Sequence, residues 1–315
     1  MSVRIFAPGV VKLLGEHAVV YGKPAISATI DKGIYVECQK GGELLVETLG
    51  APAVLRYRPG EGRVEAIGVE KFLSYVKTAL KIAQERWGRL TAKFSIESDL
   101  PPSVGAATSA AVSVGLLKAY SHCASAEVST EELARLGHKV ELEVQGIASP
   151  MDTATASLGG VLKIWASPFR VERLNVDLPP FYIVILPRFG TTGEIVRDVR
   201  SLLERRRSAA SVVDAIGHVI EEAEGCLARG DLRCVGELME IDNWLLGALG
   251  VVDSRVVNLL EKLRPFIYGG KISGAGRGGV VLILPREGDV VEKMLIAWGY
   301  SFYKVSIYHR GATAV

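Results

Sequence analysis

The amino-acid sequence predicts an α+β protein built as two lobes that share a cleft. Three observations carry this. The 315 residues suffice for one large domain or two ordinary ones. Strand-like and helical patterns alternate unevenly, which argues against a doubly wound parallel sheet. A polar, proline-bearing stretch from Ala166 to Pro180 separates a strand-rich first half from a helix-rich second half, giving expected units of 1–170 and 171–315.

Val3 to Phe6 and Val10 to Leu14 are rich in β-formers, and Gly33 to Gln39 alternates as a strand should. The turn-rich stretch from Gly41 to Gly62 reads as a hairpin with loops. Phe72, Leu73, Val76, Leu80 and Ala83 lie on one stripe, so Val69 to Trp87 is a helix. Ala92 to Ser98 is a strand, and a small-residue helix runs from about Thr108 to His122. Ser129-Thr130-Glu131-Glu132 starts the next helix, which reaches about Val144 before Gly146 to Pro150 breaks it. Val161 to Trp165 and Tyr182 to Leu186 are strands. Helical patterns cover 193–208, 210–228, 231–248 and 253–264, with Met239 and Trp244 on an apolar stripe. Strands Val280 to Leu284 and Tyr303 to Tyr308 follow.

Thirty-seven basic residues against 35 acidic ones leave a net charge of +2, which singles out no charged partner. The basic run Arg205-Arg206-Arg207 lacks interleaved aromatics and reads as a solvated helix face, so no nucleic acid is expected. Met1 to Ile5 has no secretory pattern, and no apolar run reaches membrane-spanning length. A cytoplasmic protein without a membrane partner is the expectation. Cysteines 38, 123, 226 and 234 form no C-x-x-C pair and have no histidine at metal-ligand spacing; reduced, mostly buried thiols are expected. Amides are scarce, with three asparagines and three glutamines, a bias that points to a hot-growing source.

Three stretches carry candidate chemistry. Pro101-Pro102-Ser103-Val104-Gly105-Ala106-Ala107-Thr108-Ser109-Ala110-Ala111 is a small-residue loop running straight into a helix. That arrangement lets backbone N–H groups reach phosphate oxygens, and Thr108 or Ser109 can turn a hydroxyl toward phosphate or Mg²⁺. It matches neither the Walker nor the Rossmann fingerprint, and alone such a turn is more often packing. Lys271 to Gly279 places four glycines in six positions before a strand, which marks a close backbone approach. A tight bend explains one such turn; two in one chain favour a ligand cleft. Glu141 and Asp152 flank a helix break. One such carboxylate can bind Mg²⁺ while the other orients or deprotonates a hydroxyl; an ordinary surface carboxylate is the bland alternative.

These stretches, in this order, resemble the superfamily of galactokinase, homoserine kinase, mevalonate kinase and phosphomevalonate kinase (GHMP kinases). Ala7-Pro8-Gly9 and the run from Gly15-Glu16-His17 to Pro24-Ala25-Ile26 are similar to the mevalonate kinase family. Leu136-Gly137-His138 to Gly159-Gly160 is similar to its archaeal branch. Together the motifs span nearly the whole chain. The resemblance implies the GHMP-kinase fold: an N-terminal ribosomal-protein-S5-like α/β domain, a C-terminal ferredoxin-like α+β domain, and the active site between them. It implies ATP and Mg²⁺, with mevalonate as the substrate phosphorylated on its C5 hydroxyl.

Carried over by position, Asp152 matches the catalytic aspartate and Glu141 the magnesium-binding glutamate. Pro101, Ser103, Val104, Gly105, Ala106, Ala107, Thr108, Ser109 and Ala110 match the ATP cradle, Thr108 and Ser109 also serving the metal. Glu16, His17, Thr192, Gly274 and Ala275 match substrate-pocket positions. Homodimers are common among such relatives, although no interface signature stands out in the sequence.

The chain departs from the family pattern in three places. Val10 stands where many relatives have lysine; Lys12 lies on the same strand face about 7 Å away and is the expected replacement cation. Ala106-Ala107-Thr108 replaces Leu-Gly-Ser, and Arg277 replaces a glycine, with a phosphate contact and solvent both open for its side chain. Rival substrates within the superfamily are phosphomevalonate, galactose and homoserine, with diphosphomevalonate decarboxylase as a further relative. Arg188 and Arg197, which flank Thr192, would suit a phosphorylated substrate. A non-catalytic ATP sensor would lack Asp152 or Glu141, and a helical interaction module over 193–264 leaves the glycine turns unexplained.

Overall fold

The computed structural model describes residues 2–49, 54–57, 64–67, 70–101, 105–146 and 148–315. Its first half contains strands β1 (Ser2–Leu14), β2 (Ala25–Lys40), β3 (Leu45–Thr48), β4 (Val54–Tyr57), β5 (Val64–Ile67), β6 (Ala92–Ser98), β7 (Val161–Ala166) and β8 (Phe169–Leu174). Helices α1 (Glu70–Trp87), α2 (Thr108–Cys123), α3 (Thr130–Gln145) and α4 (Met151–Leu158) belong with them. The second half contains β9 (Phe181–Leu186), β10 (Ile267–Ser273), β11 (Gly279–Pro285), β12 (Ser301–Val305) and β13 (Thr313–Ala314). Its helices are α5 (Thr192–Arg205), α6 (Arg207–Ala228), α7 (Leu232–Ala248), α8 (Ser254–Leu263) and α9 (Gly288–Ala297).

The first sheet runs β13-β1-β2-β6-β3-β4-β5, with β7 and β8 joined to it through β2. β2 is long enough to serve two partners: Ala25–Ala28 pairs with β7 and Ile34–Lys40 with β6. β1 pairs antiparallel with β2 along its length, and its register shifts after Pro8 and again after Lys12. Proline cannot donate to a ladder, so the Ala-Pro-Gly interruption bends this strand without ending it. The second sheet is antiparallel in the order β10-β11-β9-β12. α7 lies directly on β10 because Gly236 and Gly269 meet there; a Cβ on either would overlap the other element's backbone.

Two large cores result. Val36, Val76, Phe94, Leu116 and Tyr120 belong to the first, under α1 and α2. The second joins both halves, placing Val11, Leu14, Ile26 and Ile30 in one cluster with Ile183, Val184, Ile216, Leu246 and Val281. The end of the chain also returns to the first half, where Ile307 bridges Ile30 and β13 pairs with β1. An apolar junction of this kind fixes the two walls of a cleft relative to one another. We propose 1–170 and 171–315 as the two functional halves, noting that β8 still pairs with β7 in the first sheet.

The structure corrects several expectations. The two strands expected in residues 3–14 are one, and the Lys271–Gly279 stretch opens inside β10. α4, β8, α9 and β13 add elements to those read from the sequence. Arg206 is extended and separates α5 from α6, and Trp244 is half exposed while Met239 is buried. The cysteines are not free thiols: Cys38 pairs with Cys123 and Cys226 with Cys234. Pairing depends on Cα separations of 6.5 and 5.9 Å, which spacings of 85 and 8 residues cannot reveal. Among the described residues, no helix is long and apolar enough to cross a membrane.

Candidate active site

The cleft is assembled from three backbone turns and the ends of four helices. The small-residue loop of the first half enters α2 through Gly105 (φ +93°) and Ala107 (φ +50°), both left-handed. Ala106 O accepts a hydrogen bond from Val10 N–H at 3.1 Å, which ties the loop to β1. Among the described residues no side chain caps α2, and no acidic residue lies in its first turn, so its leading N–H groups are available to an anion. Pro101 is exposed; Ser103 and Val104 lie outside the described residues. The second glycine turn abuts this one: a Cβ built on Gly105 would sit 3.5 Å from Val280 N and 3.9 Å from Gly279 Cα. The two turns read separately in the sequence are therefore neighbours.

Lys12 and Asp152 meet beside this cradle. α4 begins at Met151 and holds Asp152 in its first turn, while β1 presents Lys12 on the face that packs toward α4. Nζ lies 2.6 Å from Oδ1, and the lysine side chain is only 9% exposed. Val10, on the same strand face, is wholly buried in the first core, and Lys12 is the cation beside Asp152. Its backbone N–H donates to Ser273 Oγ across the cleft at 2.9 Å.

Glu141, near the end of α3, is buried, and Ser109 Oγ donates to its Oε1 at 3.2 Å. Burial, then the neighbouring Asp152, push its carboxyl up to about 8, against the opposing pull of Lys12 and the Ser109 hydroxyl. Tyr75 on α1 stands against the same group; burial first, then the charge of Glu141, raise its phenol to about 12. Thr108 is half buried beside Ser109.

On the other side of the Lys12–Asp152 pair, His17 sits in a tight turn after β1 with φ +60°, a left-handed conformation that a non-glycine residue adopts at some cost. Its Nε2–H donates to Ala275 O at 3.0 Å. A carbonyl can only accept, so Nε2 carries the proton; burial foremost holds the ring below the ordinary histidine range, leaving Nδ1 of a neutral imidazole as an acceptor. Glu16 Oε1 accepts from Lys271 Nζ at 2.6 Å and from Gly274 N–H at 3.4 Å. Gly274 and Ala275 thus pack against Glu16 and His17. Thr192 begins α5, exposed, and its Oγ1 accepts from Arg188 at 3.3 Å. Arg277, left-handed at φ +54°, pairs with Asp198 of α5 at 2.7 Å, which closes the turn against that helix.

This geometry coincides with a set of similar proteins. Residues 74–160 match the GHMP kinases N terminal domain and residues 223–304 the GHMP kinases C terminal domain. The chain is 33% identical to the mevalonate kinase of Saccharolobus solfataricus over 298 residues, covering 92% of this chain and 93% of that one. It is 34% identical to the mevalonate kinase of Pyrococcus horikoshii over 315 residues, covering 93% and 92%. The chain belongs to the mevalonate kinase family of GHMP kinases. The crystal structure of the Methanococcus jannaschii mevalonate kinase superposes over 98% of both chains with a TM-score of 0.80 at 25% identity.

Several residues of this cleft escaped the sequence. Asp242 and Asn243 of α7 are buried, and Asn243 Oδ1 accepts from Ile272 N–H at 3.1 Å. Lys271 is fully buried between Glu16 and Asp242. Arg188 turns its Nε inward, buried without a hydrogen-bond partner among the described residues, near Gly279. For Lys271 a signal existed, since an apolar strand seldom carries a lysine without a partner. For Asp242 there was none: Glu240-Ile241-Asp242-Asn243 looks like any polar helix turn.

Proposed function

We propose that this protein transfers the γ-phosphoryl group of ATP to the C5 hydroxyl of mevalonate, giving 5-phosphomevalonate and ADP in isoprenoid biosynthesis. The observation that carries it is the Lys12–Asp152 pair at 2.6 Å, set between the cradle at Gly105–Ser109 and the Gly15–His17 turn. Phosphoryl transfer is chiefly positioning and charge stabilisation. In this reading Asp152 orients the C5 hydroxyl and accepts its proton, and Lys12 holds Asp152 and faces the charge on the transferring group. Glu16, His17, Thr192, Gly274 and Ala275 hold the substrate.

The residues also fit Mg²⁺. Ser109, Glu141 and Thr108 offer hard oxygen donors, and a carboxyl held up by burial beside a second carboxylate is a group that a divalent cation relieves. The chemistry such an ion supplies is neutralisation of charge on the phosphate oxygens. We place the enzyme in the cytoplasm of a hot-growing source. Disulfides are rare in a reducing cytosol except among hyperthermophiles, and the scarcity of amides points the same way.

A coupled ADP-release assay against mevalonate, phosphomevalonate, galactose and homoserine tests the substrate. Turnover is expected with mevalonate; turnover confined to any of the others overturns the assignment. Phosphomevalonate is the informative rival, because Arg188 presents an inward guanidinium beside Gly279.

A further inference from the structure

The geometry points to Asp242 as a positioning residue for the substrate pocket: we propose that it sets the Gly15–His17 turn through Lys271 and the Gly15 amide without touching the substrate itself. The inference rests on the reading of this cleft as the substrate site.

Three ionisable side chains meet in the junction between the halves. Lys271 of β10 and Asp242 of α7 have wholly buried side chains, and that of Glu16, after β1, is 2% exposed. Lys271 Nζ lies 2.6 Å from Glu16 Oε1 and 3.4 Å from Asp242 Oδ2, and it donates to Ile272 O at 2.7 Å. Asp242 Oδ2 also accepts from Gly15 N–H at 3.3 Å. Glu16 Oε2 and Asp242 Oδ1 have no hydrogen-bond partner among the described residues.

Two carboxylates facing one ammonium in a dry junction are poorly compensated, since burying an ion stabilises nothing unless its bonds are satisfied. Replacing the whole triad, Lys271 included, by apolar side chains would suit stability at least as well. What the arrangement does provide is connection. Asp242 grips the amide of Gly15 and steers Lys271; Lys271 holds Glu16; Glu16 reaches Gly274 N–H, while His17 holds Ala275 O. The chain of contacts therefore links a helix of the second half to both turns that line the substrate pocket. None of its hydrogen bonds falls on the ATP cradle, which is held through Val10 N–H and Ser109 and meets the second glycine turn only at Gly279 and Val280. Gly15 itself leaves no slack: its φ is +95°, and a Cβ there would press on Ala25 and Ile220.

The test uses Asp242→Ala and Asp242→Asn in the full-length enzyme. Asparagine keeps an oxygen for Gly15 N–H and Lys271 and removes one of the two competing charges. KM for mevalonate is expected to rise at least tenfold in Asp242→Ala with KM for ATP within twofold of the wild type, and Asp242→Asn should recover most of the loss. If Asp242→Ala does not fold, Asp242→Ser replaces it in the same comparison. Adding Glu16→Gln to Asp242→Ala should worsen KM by far less than the product of the single effects, because both act through one chain of contacts. An unchanged mevalonate KM with a lowered melting temperature makes Asp242 merely structural and overturns the proposal. So does an equal rise in both KM values, or a double variant whose effects multiply. Failure of the substrate reading shows separately, in the wild type, as turnover of a different acceptor; the ratios are then measured with that acceptor.

Discussion

Replacing Lys12 by methionine should lower kcat by about 10²–10³ while leaving the fold intact. The ammonium lies 2.6 Å from Asp152 Oδ1 on a side chain 9% exposed, so its charge acts in a medium well below the polarity of water. At an effective dielectric of about 20 the gross attraction at this distance is roughly 6 kcal/mol. Much of that offsets desolvation of the two ions, and the share present before reaction binds ground and transition states alike. Only the component aimed at charge developing on the transferring phosphoryl group enters the rate. Removal of one preorganised donor of that kind costs about 2.7–4 kcal/mol, which is the stated factor. Methionine preserves the stem that packs between β1 and α4, so stability should change less than activity. The assay is ADP release at saturating ATP and mevalonate, with melting followed by circular dichroism. Lys12→Arg is the companion variant: it keeps the charge but not the compact ammonium, and should fall between wild type and Lys12→Met. A kcat for Lys12→Met within threefold of wild type would refute the reasoning and return Lys12 to the role of a buried counter-ion.

Asp152→Asn should lower kcat by about 10²–10⁴ with ATP affinity nearly unchanged, measured by nucleotide titration; equal activity would remove Asp152 from the chemistry. In guanidinium without reductant, Ellman titration should find no free thiol, and four thiols per chain would contradict both disulfides. Cys38→Ala with Cys123→Ala should cost about 4.5 kcal/mol for the 85-residue separation, or about 7 °C in Tm for a chain of this length. Stability should also carry two opposed pH limbs. Asp242, raised by burial foremost from its ordinary 3.8 to about 7, contributes stability that is complete below 3.8 and lost as pH rises toward 7. His17, lowered by burial, contributes stability present above 6.5 and lost as pH falls below it. Unfolding free energies from urea titrations between pH 4.5 and 7.5 should therefore decline less in Asp242→Asn than in the wild type, by up to about 3 kcal/mol; parallel curves would contradict the burial of an ionisable Asp242.

Much of the fold was legible because its helices advertise themselves. α1, α3, α7 and α8 each bury one stripe, and Ser129, Asp231 and Asp253 cap theirs with side-chain oxygens bonded to backbone N–H groups. The elements that escaped are short or atypical. β8 is mostly exposed and so lacks an apolar face, while β10 (Ile267–Ser273) carries Gly269-Gly270 in its middle, a poor strand sequence. Its glycines are dictated by the passage of α7 over the strand, a tertiary demand that no local pattern displays. α4 follows the helix break so closely that Asp152 read only as flanking the break, although it occupies the first turn of a helix.

The candidate site divides along the same line. Motif residues such as Glu141, Asp152 and the glycine turns announce themselves by type and spacing. Residues that act by being buried do not, because burial is decided by elements far apart in the chain: Glu16 and Lys271 are 255 positions apart and share one hydrogen bond. Lys12 stands between these cases. Strand alternation places it on the face of Val10, and only the packing of α4 against β1 turns that placement into a 2.6 Å contact with Asp152. A shift of β1 by one residue would exchange its two faces, sending Lys12 away from α4 and Val11 out of the joint core. The apolar residues that flank Lys12 in β1, Val11, Leu13 and Leu14, all belong to the core that joins the halves. That core thus holds the register on which the Lys12–Asp152 pair depends, and it is where a distant cavity-forming substitution would reach that contact.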